Sequence, residues 1–146
     1  MKTTHGRPWK TVIVPVFTAA GIVFSANILS AQTETQVSPS VINLAAFGGT
    51  VLTIHTQIPF RQVDRNAPVT ATLAIVEQGY FIDELPVEYV ADDGRGHMVI
   101  KIAWDYFRLN EGDPPTGIAT FGFDGIYVDK TPFEGSDDTW IATTVN

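Results

Sequence analysis

Apolar residues in this chain recur at every second position, in runs too short for helices and broken by glycine, proline and aspartate. In "VTATLAIV", Val69, Ala71, Leu73 and Ile75 share one face, while Thr70, Thr72 and Ala74 share the other. In "HMVIKIAW", Met98, Ile100, Ile102 and Trp104 fall on one face. A two-residue period puts alternate side chains on opposite faces of a strand. "SVINLAAF", "TVLTIHTQI", "LPVEYV", "TGIATFGF" and "TWIATTV" carry the same β-branched and aromatic character. Only "WDYFRLNEGDPP" departs from it. There Asp105 is placed to cap a single helical turn through Leu109, stopped by Gly112, Pro114 and Pro115. About seven strands without helical crossovers predict an all-β, antiparallel sandwich with Greek-key connections. An open barrel is the alternative.

The first 31 residues have a different composition. "MKTTHGRPWK" holds Lys2, Arg7 and Lys10 and no acid, and residues 11–29 carry no charge. A small, polar stretch follows. A basic start, an apolar middle and a small-residue exit form the layout of a secretory signal peptide, with cleavage expected after Ala31. The alternative is a retained anchor over residues 11–29, since roughly 17–25 residues span a bilayer. Residues 32–39, "QTETQVSP", read as a flexible leader, and residues 40–146 as the sandwich domain. The expected location is secreted, periplasmic or at the cell surface.

Removal of residues 1–31 takes three of the nine basic residues and none of the sixteen acids, leaving a net charge of −10. Nucleic acid needs basic surface to displace counterions, and an anionic lipid surface needs the same. Neither is an expected partner, nor is a membrane once the signal is cleaved. The chain has no cysteine. That excludes disulfides, thiolate catalysis, zinc–sulfur sites and a lipid-bearing cysteine. The remaining stretch of about 115 residues is long enough to fold on a hydrophobic core alone.

The most ambiguous segment is "VADDGRGHMVIKIAW", residues 90–104. Asp-Gly between alternating apolar runs signals a β-hairpin, with Gly94 and Gly96 supplying positive φ. Its acids also suggest calcium. An EF-hand loop needs oxygen ligands at alternate positions and a glutamate at the twelfth. Counted from Asp92, the third residue is Gly94, the fifth Gly96 and the twelfth Ala103. That pattern fails, so a calcium site here requires convergence of Asp92 and Asp93 with a second acidic loop. The candidates are Asp137 and Asp138 in "FEGSDDTW", or Asp113 in "NEGDPP". Calcium is the one cofactor candidate.

Catalytic patterns are sparse. His55 and His97 lack His-x-His or HExxH spacing. The serines beyond the expected signal cleavage are Ser38, Ser40 and Ser136, and "EGSDD" is not a nucleophile elbow. A triad of Ser136, His55 and an aspartate has no local support. Paired carboxylates for glycoside hydrolysis need a cleft that a small sandwich has little room for. The expectation is a non-catalytic protein, with a small secreted hydrolase as the third choice. Aromatic residues offer a stacking surface for sugars: Tyr80, Phe81, Tyr106, Phe107, Phe121, Phe123, Tyr127, Phe133 and Trp140. Most are expected in the core. The doublets in "GYFIDE" and "DYFRL" place one ring of each pair outward.

"TIHTQIPFRQVD", "VADDGRGHMVIKI" and "TPFEGSDDTWI" occur in this order over most of residues 38–146. Together they resemble the immunoglobulin-like modules of secreted and cell-surface bacterial and archaeal proteins. "RNAPVTATLAIVEQGYFIDE" is longer than the matching segment of such modules. The resemblance implies a structural or binding domain and carries no catalytic residues. The expected function is surface recognition, adhesion or extracellular assembly, through end loops or strand addition at an exposed edge. A protein or glycan at the cell surface is the expected partner. A calcium-stabilised or carbohydrate-binding module is the alternative.

Overall fold

The structure, a computed structural model, describes residues 34–45 and 51–143. The signal-peptide reading of residues 1–31 lies outside the described residues. No helix among those described is long and apolar enough to cross a membrane.

Nine strands among the described residues form two sheets. The four-stranded sheet has the order β1 (Thr35–Ser38), β3 (Leu52–Pro59), β7 (His97–Ile102), β6 (Val87–Asp92). The five-stranded sheet has the order β2 (Val41–Asn43), β9 (Pro132–Ala142), β8 (Gly117–Ile126), β4 (Thr70–Ile75), β5 (Tyr80–Ile82). One helix, α1 (Trp104–Glu111), connects β7 to β8. The predicted all-β sandwich is present.

Two-residue alternation builds the core between the sheets. Ile54, Ile58, Met98 and Ile100 of one sheet meet Leu73, Ile75, Phe121 and Ile141 of the other, all fully buried. Each such side chain contributes about 1.5–3 kcal/mol by leaving water. Trp104 joins them from α1, stacked on Phe107 with ring centres 5.2 Å apart and edge-on to Phe121 at 5.9 Å. Thr56 is the polar exception. Its hydroxyl donates to the Met98 carbonyl at 2.8 Å and accepts from the Ile58 N–H at 3.1 Å. This satisfies the buried hydroxyl where the β3–β7 register shifts.

The structure differs from expectation in four places. Thr35–Ser38, within the stretch read as leader, forms β1 against β3. Only Val37 of that strand is buried, so its alternation is too short to read. The chain then crosses to the second sheet without reversing, through a cis Ser38–Pro39 bond. β2 therefore runs parallel to β9, one parallel pair in an otherwise antiparallel sandwich. The long segment 65–84 holds β4, a short 3-10 turn and the additional strand β5. Finally, α1 runs eight residues rather than one turn, and its N-cap is Ala103 with no side-chain cap. Asp105 thus lies inside the first turn. The helix is held instead by burial of Trp104 and Phe107 and by Arg108, which donates to the Leu44 carbonyl at 2.6 Å and to Asp113 at 2.7 Å.

Candidate functional site

The four acids proposed for calcium do not share a site. Asp92 ends β6, and Asp93 follows it in the turn of the β6–β7 hairpin. The Asp92 Oδ1 accepts from the N–H groups of Gly94 (2.6 Å) and Gly96 (3.0 Å). The Asp93 Oδ1 accepts from Arg95 (2.7 Å) and His97 (3.1 Å). These N–H groups, with the His97 imidazole 3.6 Å away, hold the Asp93 carboxyl below its usual value. Gly94 and Gly96 adopt φ of 90° and 96°, as the hairpin reading requires. The acids of this loop organise its own backbone.

Asp137 and Asp138 are not in a loop. They lie inside the eleven-residue β9, because "EGSDD" continues the inward alternation of Phe133, Gly135, Asp137, Thr139 and Ile141. Asp137 points inward and accepts from the Val37 N–H of β1 at 2.8 Å. It thereby occupies the outer edge of β1 and ties one sheet to the other. Asp138 points outward and accepts from the Thr120 hydroxyl at 2.6 Å. β1 and β6 are the outermost strands of the same sheet, so three strand spacings, about 14 Å, separate the Asp137 edge from the hairpin edge. Asp113 is engaged with Arg108. No group of three or more metal-ligating side chains forms among the described residues.

The nucleophile candidates are similarly dispersed. Ser136 is exposed on β9 and His55 is exposed on β3, on the outer surfaces of different sheets. Ser38 is on β1.

The aromatic residues sort as alternation dictates. Phe121, Phe123, Phe133 and Phe107 are buried, and Tyr127 packs on Phe133 at 5.0 Å. Trp140 is 48 % exposed on the outer face of the five-stranded sheet, directly between Val41 of β2 and Ile118 of β8. Both doublets split. Tyr80 packs against the core while Phe81 faces out, and Phe107 is buried while Tyr106 is 62 % exposed.

Phe81 and Tyr106 meet at a groove of about 630 Å³. It lies along the lateral edge where the chain passes from β5 to β6 over residues 83–86. One wall is Val69, Phe81 and Ile82; Leu85, Pro86 and Val87 form the crossing; Tyr106, Phe107, Asn110 and Glu111 of α1 form the other wall. The crossing is fixed by two backbone bonds: Leu85 N–H to the Ala71 carbonyl (2.7 Å) and Ala103 N–H to the Pro86 carbonyl (2.8 Å). Asp83, Glu84 and Glu111 supply the charged groups of the lining, with no lysine or arginine among them. Burial, with the Glu111 carboxylate nearby, pushes the neighbouring Tyr80 phenol up to about 12. The doublets signalled these rings in the sequence. The wall of Val69, Leu85 and Pro86 had no signal, because it exists only once the two sheets are stacked.

The chain matches no protein-family model and no curated protein sequence.

Proposed function

We propose that this chain is a non-catalytic, exported recognition module with an immunoglobulin-like sandwich, binding a surface partner through the lateral groove. The strand orders support the immunoglobulin-like reading. β1-β3-β7-β6 corresponds to the A-B-E-D sheet, and β9-β8-β4-β5 to G-F-C with the added C′ strand of variable-type domains. The split first strand, β1 in one sheet and β2 in the other, agrees with that assignment. Export rests on the tripartite composition of residues 1–31. The non-catalytic reading rests on the dispersal of Ser136, His55 and the paired aspartates over separate surfaces.

The groove is the observation that carries the proposal. Its volume suits a side chain or small ligand, and it is walled by apolar and aromatic groups with few polar ones, as binding pockets are. The test is a photo-crosslinking amino acid at position 106, with position 128 as control, in cells that express the chain. Val128 is 58 % exposed and outside the groove. A discrete adduct from position 106 and none from 128 is expected. Equal adducts from both, or none from 106, would sink the reading.

A second reading is a carbohydrate platform on the five-stranded sheet, favoured by Trp140 exposed beside the Thr120–Asp138 pair. It predicts that Trp140→Ala removes the response to a neutral glycan panel while Tyr106→Ala does not.

A further inference from the structure

We infer that the groove accepts a lysine or arginine side chain presented by an extended polypeptide segment. This inference rests on the groove being the recognition site, and it adds the chemistry of the ligand.

Three observations converge. The first is charge. The ionic groups of the lining are Asp83, Glu84 and Glu111. The one cation of α1, Arg108, is turned toward Leu44 and Asp113. Lys101 and Lys130 are engaged with Thr53 and Asp64 elsewhere. An anionic ligand meets repulsion here and a cation meets attraction.

The second observation is the wall chemistry. Val69, Ile82, Leu85 and Val87 offer an apolar channel for an aliphatic stem. Tyr106, 62 % exposed, offers a ring face for the charged head. Lysine and arginine carry both parts, burying the stem and keeping the head at a polar or aromatic rim. A neutral sugar gains nothing from the charge of Glu84 and Glu111.

The third observation concerns backbone. The groove runs between β5 and β6, the outermost strands of their two sheets on this side. An outermost strand such as β6 presents backbone N–H and C=O groups along its edge, with which an extended segment can pair while one side chain enters the groove. This favours a peptide over a free small cation.

The test titrates the full chain with three octapeptides, acetyl-(Thr-Lys)₄-amide and its norleucine and glutamate counterparts, followed by NMR. The lysine peptide is expected to shift the signals of Phe81, Tyr106 and Asn110, and to lose affinity as salt rises. Glu84→Gln with Glu111→Gln is expected to weaken it about tenfold. Glu134→Gln with Asp138→Asn, on the outer face of the five-stranded sheet and outside the groove lining, should leave it nearly unchanged. Equal weakening by both pairs would mean diffuse attraction to an acidic chain and would overturn the inference. So would equal binding of the norleucine peptide, although recognition at the groove would then stand. If no octapeptide shifts those signals but cellohexaose does, the ligand class is wrong and the site is right. If none of these probes shifts them, both the inference and the groove reading fail.

Discussion

The sandwich has two lateral edges, and the chain crosses between sheets at both, but one crossing is sealed and the other is open. At the sealed edge, β1 and β2 follow each other directly, and β1 lies tightly against β9. Gly135 permits this contact: a Cβ there would stand 2.7 Å from both the Phe123 ring and the Thr35 hydroxyl. Across the β8–β9 ladder the pairs are reciprocal, Gly135 beside Phe123 and Gly125 beside Phe133. Each ring covers the backbone that a glycine leaves bare. Asp137 then bonds the free edge of β1. At the open edge the crossing over residues 83–86 is spanned by α1, whose aromatic side chains stand off from β5 and leave the groove. Close approach of backbones therefore closes one edge, and an intervening helix holds the other open.

Substitution at the sealed edge should break this contrast most strongly. Gly135→Val forces carbon into the Phe123 ring and the Thr35 contact, and should cost about 3 kcal/mol in urea unfolding. A change under about 0.5 kcal/mol would show that the seam is loose. Asp137→Ala leaves the Val37 N–H unpaired, and should cost about 2 kcal/mol with faster amide exchange confined to β1. The loss should be the same with and without calcium. A deficit that appears only when the ion is present would restore Asp137 as a metal ligand.

At the open edge the expected effects are smaller and of another kind. The Tyr80 phenol is raised from 10.0 to about 12, chiefly by burial. The folded chain holds that proton after the unfolded chain has lost it, so the stability contributed by Tyr80 is complete below pH 10.0. It is lost as pH rises from there to about 12. Tyr80→Phe should remove this alkaline slope, seen as the melting temperature against pH. A slope identical to that of the parent chain would place the phenol in solvent. Tyr106→Ala should be the smallest in stability, within about 0.5 kcal/mol, because that side chain is largely exposed. It should nevertheless abolish binding at the groove. A large loss of stability would make Tyr106 part of the packing and weaken the functional contrast between the edges.

Much of this fold was legible residue by residue. The faces of β4 and β7 read directly from "VTATLAIV" and "HMVIKIAW", and Gly94 and Gly96 marked the hairpin. β1 was not legible, since "TQVS" buries a single apolar side chain. Nor was the first half of β9, since Gly135, Ser136, Asp137 and Asp138 have the composition of a turn. Glycine and aspartate favour turns locally, yet here a ten-pair ladder with β8 overrides that preference. The same composition made Asp137 and Asp138 read as a loop when they lie within a strand. For the groove, the doublets "YF" and "YF" showed that one ring of each would face outward, but not that the two would meet.

The sequence by itself determined the alternation in strands such as β4 and β7, and with it which of their faces turns inward, because a strand's period is a local property of its backbone. Only the tertiary structure decided that Asp137 bridges the two sheets while Asp92 and Asp93 serve their own hairpin. It also brought Phe81 of β5 to the groove that Tyr106 of α1 lines, across an edge left open. Those placements depend on which strands lie outermost and where the chain crosses between sheets, and no local period encodes them.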